Sequence, residues 1–375
     1  MTHVPYYAIE GAENLLSPSL VFVRERIEHN IRELIRIAGS PARLRPHAKT
    51  HKCAEIVRME VGMGITSHKC ATIAEAEMIA GAGGTDILLA YPLVGPNIAR
   101  MRKLMQAYPQ VRFSALADHP ENVEDIAREM VSHGQTLGLV VDLDVGMRRT
   151  GIPAGERATA VYRTFAEHKG VEPYGFHVYD GHNTALPHEE RLRTVRDLLE
   201  PVLKMRETLQ REGIPVDRLV CGGTPTFPIF AAMTEIAGVE CAAGTLVLHD
   251  EGYPSRYPEL RNFQYAAMVL TRVISKPWGG RVTTDLGYKA VASDPPAGKR
   301  LIFPELHDYQ FVLQSEEHLG FEVAYADDIP VGLMLQAIPM HVCPTVAMHR
   351  RAAVVENGRI VDSWDIVARD RMLTI

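Results

Sequence analysis

A chain of 375 residues, 46% hydrophobic and 23% charged, is long enough for two domains or for one barrel with an addition. Its formal net charge of −6 argues against nucleic-acid binding, which usually needs a basic surface. Five cysteines, odd and sparse, point away from a disulfide framework, and no run approaches the roughly 20 apolar residues of a membrane span. The start, MTHVPYYAIEGAENLL, lacks a charged region leading into an apolar core. The expectation is a cytoplasmic protein with reduced thiols and neither a membrane nor a nucleic-acid partner.

Up to about residue 245 short apolar runs alternate with amphipathic helical stretches. LVFV precedes RIEHNIRELIRIA and ARLRPHAK; GITSHK precedes TIAEAEMIAGAG; DILLAY precedes NIARMRKLMQAY. VRFSAL, LGLVVDLD and YGFHVYD each lead into a further helical stretch, and RLVCGG and VECAAG close the series. Such alternation predicts an α/β fold with parallel strands and crossover helices, a TIM-type (β/α)8 barrel. Nine apolar runs exceed the eight strands of a barrel, so one belongs elsewhere. After residue 245 the runs LVLHDE, QYAAMVLTRVISKP, GRVTTDLGYKAVASD, FEVAYAD, GLMLQAIPMHVCPTVAM and RAAVVENGRIVDSW are strand-like, with turn signals between them. They predict a second, mainly β domain.

Four stretches carry candidate chemistry. LRPHAKTHK (44–52) lies where a barrel strand should end. If it is extended, Arg45, His47, Lys49 and His51 share one face. Barrel active sites gather at the C-terminal ends of strands, where a lysine can form a Schiff base with a carbonyl compound. A solvated basic loop is the plainer alternative. DVGMRRTG (144–151) places two arginines after a strand, suited to a carboxylate or a cofactor oxygen, or to pairing with Asp142 or Asp144. CGGTPTF (221–227) follows a strand and exposes backbone amides of the kind that hold phosphate, although paired glycines also make plain turns. In MHVCPT (340–345), if extended, His341 and Cys343 point the same way and suit one soft or borderline divalent ion with open positions left over. A buried cysteine beside a satisfied histidine is the commoner meaning of an isolated HxC.

Taken in order, RPHAKTHK, ATIAEAEMIAGAG, DILLAYPLVGP, DVGMRRTG, GFHVYDGH, GGTPTF, SEEH, HVCPT and VDSWDIVARD resemble the D-threonine aldolase and D-serine dehydratase family. Those are pyridoxal-phosphate enzymes of the alanine racemase fold type (fold type III) that also bind a divalent metal. The resemblance runs from about residue 18 to the C-terminus. It implies a cofactor-binding barrel over 26–245 and a mainly β domain made of 1–25 together with 246–375, so that the first strand joins the second domain.

By the same resemblance Lys49 carries the cofactor as an internal aldimine and Arg149 lies near its phenolic oxygen. Tyr179 approaches the pyridine ring, and Thr224 with the amides around Gly222, Gly223, Gly244 and Thr245 holds the phosphate. His341 and Cys343 hold the metal, zinc on softness or manganese, with Lys49 and His341 the catalytic pair. ECAAG (240–244) departs from relatives that have an arginine or proline before the glycine. Ala242 therefore supplies no arginine to the pyridine nitrogen, and Tyr179 in that role would moderate the electron sink.

The implied activity is a lyase acting on β-hydroxy D-amino acids. D-threonine aldolase, releasing glycine and an aldehyde, stands first; dehydration of D-serine or D-3-hydroxyaspartate to a keto acid and ammonia is the alternative. A homodimer with a small-molecule substrate is expected. A cofactor carrier should lack the second domain and the metal pair, and racemisation needs no metal.

Overall fold

The computed structural model describes residues 4–253 and 256–375; the first three residues of the amino-terminal stretch read above, and 254–255, lie outside the described residues. Two compact units emerge. One comprises Arg32–Lys49, Ala54–Gly244 and Asp370–Ile375, the other Met1–Ile31, Thr50–Cys53 and Thr245–Arg369. The first strand, β1 (Ser19–Val23), leads into helix α1 (Arg24–Ala38).

The first unit is the barrel. Strands β2 (Ser67–Cys70), β3 (Asp86–Pro92), β4 (Arg112–Ala117), β5 (Leu137–Leu143), β6 (Val171–Val178), β7 (Leu219–Cys221) and β8 (Val239–Cys241) form one parallel sheet in chain order. Helices α2 (Ala54–Gly62), α3 (Ile73–Gly81), α4 (Pro96–Ala107), α5 (Pro120–Ser132), α6 (Glu156–Glu167), α7 (His188–Arg211) and α8 (Phe227–Ala232) intervene. Every residue of β5, LGLVVDL, is buried, as a strand covered on both faces requires. The start of α3 is written in TIAE: Thr72 Oγ1 accepts the Glu75 amide at 3.1 Å, while the Glu75 carboxylate accepts the Ala71 amide at 2.6 Å. Leu88, Leu116, Val140, Tyr174, Val220 and Ala242, one from each successive strand or its end, pack as a layer inside the barrel.

The eighth barrel position is filled by residues 44–47. The Arg45 amide donates to Cys241 O and the Lys69 amide to Pro46 O, both at 2.9 Å, which joins β8 to β2. This segment is not the extended strand expected from the sequence. Pro46 has no N–H for a ladder, and Ala48–Thr50 winds into a 3₁₀ turn. The expected common face of Arg45, His47, Lys49 and His51 accordingly does not form.

The second unit holds β1 with β9 (Ala267–Ser275), β10 (Arg281–Thr284), β11 (Leu301–Ile302), β12 (Tyr309–Gln314), β13 (Leu319–Val323), β14 (Met334–Pro339), β15 (Arg351–Glu356) and β16 (Arg359–Asp365). The sheet runs β12-β13-β10-β9-β1-β15-β16, with β14 also pairing β9 and β11. The run LVFV is thus a central strand here, antiparallel to β9 and parallel to β15, which accounts for the ninth apolar run. Val21, Val23, Met268, Leu270, Ile338 and Val355 make its core; truncating Leu270 to alanine should cost about 2–5 kcal/mol. After β14 the chain enters helix α9 (Val342–Met348), with His341 as its N-cap residue. The extended geometry expected for HVC is therefore corrected. Pro344 stands in the first helical turn, where its missing N–H costs nothing, and permits the helix. No helix among the described residues is long and apolar enough to cross a membrane.

Candidate active site

A cavity of about 400 Å³ in the barrel unit is lined by His47, Lys49, Lys69, Arg149, Thr150, His177 and Tyr179, among others. Three cations therefore share one space. Lys49 is in the 3₁₀ turn that follows the closing segment, Lys69 comes from β2, and His177 and Tyr179 share a face of β6 and its extension. Their rings are nearly parallel, 8° apart, with centroids separated by 6.3 Å. The Arg149 guanidinium lies over the Tyr179 ring at 5.1 Å, and the Lys69 amine at 5.5 Å.

Behind this face His177 Nδ1 meets Asp142 Oδ1 at 2.7 Å, and the Thr150 hydroxyl donates to Asp142 Oδ2 at 2.7 Å. Burial works against the Asp142 carboxylate, but His177 and Thr150 outweigh it and hold its pKa below the usual range. Burial also favours the neutral His177 ring, against the pull of Asp142. Lys69 is driven furthest: burial, then the nearby Lys49 charge, lowers its pKa to about 7.

The loop after β7 makes the second part. Gly222 has φ +80°, and a Cβ there would sit 2.7 Å from the Phe230 ring, so only glycine fits. The amides of Gly222 and Gly223 are already engaged, by Val178 O at 2.9 Å and by Thr226 Oγ1 at 3.3 Å. The phosphate role expected for these two amides thus meets donors that protein acceptors already take. Among the described residues no protein acceptor takes the amide of Thr224 or of Gly244. A Cβ on Gly244 would lie 2.5 Å from His47 O, so the loop after β8 reaches the closing segment only as glycine. Two free amides, the buried Thr224 hydroxyl and an amine-lined cavity fit a phosphorylated aldehyde cofactor. Thr245 opens the 3₁₀ turn Thr245–Val247 of the other unit, its hydroxyl 3.8 Å from Cys343 Sγ.

In that unit His341 and Cys343 flank Val342, whose amide donates to the buried Asp250 at 2.9 Å. His341 Nδ1 meets Asp294 Oδ2 at 2.6 Å, leaving Nε2 for another partner. A carboxylate behind an imidazole is the usual support of a metal-binding histidine. Burial disfavours the charged ring, but Cys343 and Asp294 outweigh it and raise its pKa to about 9. The Thr50 hydroxyl lies 3.2 Å from Cys343 Sγ. Among the described residues no group of three or more His, Cys, Asp or Glu side chains is placed so that together they could hold a metal ion. The donor chemistry fits a divalent ion held by two protein ligands with open positions.

Comparison with known proteins agrees with this anatomy. Residues 24–239 match the alanine racemase N-terminal domain, and residues 266–355 match a putative serine dehydratase domain. The chain is 30% identical to D-threonine aldolase of Arthrobacter sp. over 364 residues, covering 94% of this chain and 92% of that one. The chain belongs to the alanine racemase N-terminal domain family, in the branch that includes this aldolase. Membership implies pyridoxal phosphate as cofactor. D-threo-3-hydroxyaspartate dehydratase of Delftia sp. is 24% identical, with 93% of this chain and 96% of that one covered. The crystal structure of D-threonine aldolase from Filomicrobium marinum superposes with a TM-score of 0.88 at 24% identity, over 97% of this chain and 98% of that one. The fold is shared throughout.

Of the residues picked out by sequence, Lys49, Arg149 and Tyr179 line one cavity. Gly223 lies against Tyr179, since a Cβ on it would be 3.3 Å from the Tyr179 ring. His341 and Cys343 are brought together in the other unit, where Cys343 and Asp294 act on the His341 ring. Lys69, His177 and Asp294 escaped sequence reasoning, and Asp142, read as a possible arginine partner, instead binds His177 and Thr150. The alternation in FHVYD does put His177 and Tyr179 on one face, but nothing in GITSHK distinguishes Lys69 from a solvated lysine.

Proposed function

We propose that this protein is a lyase of β-hydroxy D-amino acids that uses pyridoxal phosphate and a divalent metal, and that its reaction is the cleavage of D-threonine to glycine and an aldehyde. The observation that carries the reading is Lys49 lining a cationic cavity in a barrel whose glycine-walled loops leave amides free for a phosphate. Bound pyridoxal phosphate would supply an electron sink for negative charge at the substrate Cα. A divalent ion on His341 and Cys343, zinc by ligand softness or manganese, would supply a Lewis acid for a hydroxyl group.

The chain's own residues do the rest. Lys49 would hold the cofactor covalently and carry a proton on its amine. Arg149 would hold the cofactor's phenolic oxygen. Thr224 and the amides of Thr224, Gly244 and Thr245 would hold phosphate. Tyr179 would present its ring edge and hydroxyl to the pyridine, with His177 behind it fixed by Asp142. Asp294 would fix the His341 ring with Nε2 outward. Identity of 30% to an aldolase against 24% to a dehydratase favours carbon–carbon cleavage over loss of water. We read the assembly as a homodimer, which sedimentation would check.

Coupled assays with D-threonine, D-serine and D-3-hydroxyaspartate, with and without added zinc or manganese, test the reaction. Glycine and an aldehyde from D-threonine support it; a keto acid and ammonia, with no aldehyde, would select dehydration. Borohydride reduction should fix the cofactor to Lys49, and Lys49→Ala should abolish the adduct; an adduct on Lys69 would reverse the assignment. Chelation, or His341→Ala, should stop turnover and leave the colour of the bound cofactor. Full turnover after chelation would return His341 and Cys343 to plain packing.

A further inference from the structure

Lys69 has no part in that scheme, and its surroundings ask for one. It is 3% exposed, yet no carboxylate pairs with it among the described residues. Arg45, likewise buried in the barrel, has two acids, Asp86 and Glu240. The side-chain amine of Lys69 makes one hydrogen bond, to His177 Nε2 at 3.5 Å. Asp142, the acid closest along this chain of contacts, is taken by His177 and by Thr150. Because Asp142 accepts from His177 Nδ1, Nε2 of the neutral ring is an acceptor, and Lys69 is the donor to it. An ammonium has three N–H groups. Two remain, on a side chain that lines the cavity shared with Lys49 and Arg149.

A buried, unpaired amine with spare donors is costly unless an anion arrives. On the reading above, the cofactor's phosphate is served by the loops after β7 and β8, and its phenolic oxygen by Arg149. The remaining anion in the reaction is a carboxylate of the amino acid. The geometry points to Lys69 as the residue that binds a carboxylate group of the D-amino-acid substrate, an inference that rests on the proposed cofactor site. The contact with His177 and the position over the Tyr179 ring would hold the amine in place, so that binding replaces a missing partner without rearranging the wall.

The test uses the holoprotein and the change of its visible absorption band on adding D-alanine, D-aspartate or ethylamine, which has an amine but no carboxylate. Lys69→Met should weaken D-alanine and D-aspartate by about 10- to 100-fold, the range of a charge-assisted hydrogen bond, and leave ethylamine within about threefold. Lys69→Arg, which keeps the charge, should recover part of the loss. Equal weakening of both acids assigns Lys69 to the α-carboxylate. Weakening of D-aspartate alone assigns it to a side-chain carboxylate; both results support the inference. Unchanged affinity for both acids with the band intact overturns it, as does equal weakening of all three ligands, which would mark a general support of the wall. If Lys69→Met does not fold, Lys69→Gln gives the same readings. A wild-type protein that stays colourless after reconstitution sinks the cofactor reading itself, and this inference with it; a yellow wild type with an indifferent variant sinks only the inference.

Discussion

The two ends of the barrel use the same residue types in opposite ways. Toward the N-terminal ends of the strands Arg45 is fully buried and paired with two acids: its guanidinium contacts Asp86 at 2.8 Å and also Glu240, while Arg218 reaches Glu240 at 3.4 Å and the Tyr174 hydroxyl donates to Asp86. Burial works against the Arg45 charge, but Glu240 and Asp86 keep it charged. Burial likewise opposes the Asp86 carboxylate, and Arg45 outweighs it, holding its pKa below the usual range. Toward the C-terminal ends Lys49, Lys69 and Arg149 share a cavity, and Asp142 behind its wall is already bound to His177 and Thr150. A buried charge with its partners in place is architecture; a buried charge without them is held ready for a ligand.

The largest effect should come from breaking the acid-paired end. Arg45→Met leaves two carboxylates without their cation and should cost about 3–5 kcal/mol in urea unfolding. Lys69→Met removes an unpaired buried amine and should be neutral or stabilising on the same measurement. Equal losses at the two positions would erase the contrast. The sign for pH follows from Asp86: its folded pKa is depressed, so its stabilising contribution is complete above the unfolded value of about 4. It should be lost as pH falls through the lower folded value, and urea midpoints in acid should fall less for Asp86→Asn than for wild type.

Next in size, Gly244→Ala forces a methyl to within 2.5 Å of His47 O. A loss of about 1–3 kcal/mol by thermal unfolding is expected, together with weaker cofactor retention. A smaller change is expected for Thr224→Ala: cofactor affinity should fall about tenfold, measured by ultrafiltration, with the turnover of the bound fraction preserved. Normal retention with lost turnover would contradict the phosphate role.

The smallest effect sharpens the comparison through pH. Burial, then the Lys49 charge, lowers the Lys69 pKa to about 7 in the cofactor-free protein, which favours the charged amine below that pH and the neutral one above it. The preference for D-alanine over ethylamine should therefore decline as pH rises through 7, by at most about tenfold per unit, and should stay flat in Lys69→Arg. The groups facing this amine are Lys49, Arg149, Asp142, Cys221, His177 and Tyr179. Taking the ratio of two amines cancels their own titration, and a flat wild-type profile would detach Lys69 from carboxylate binding.

Much of this molecule was legible from periodicity. Strands, helices and the change of character near residue 245 all follow from patterns that local physics enforces: alternation at two residues, amphipathicity at 3.6, and glycines where a methyl would collide. The capping sequence TIAE dictates the start of α3 without help from the rest of the chain. Two local readings failed for one reason. Both RPHAK and HVCPT look extended, but a proline inside each changes what the backbone can donate, and the first becomes a short closing segment with a 3₁₀ turn while the second becomes the first turn of α9. Which cations are paired is a different kind of fact. Arg45 and Lys69 are both basic residues in or beside short apolar runs, and only the closure of the barrel brings Asp86 and Glu240 to one and leaves the other facing a cavity. Charge pairing depends on distances between residues tens to hundreds of positions apart, which no local pattern encodes, and so the tertiary structure alone decided which lysines and arginines are paired with acids and which face a cavity.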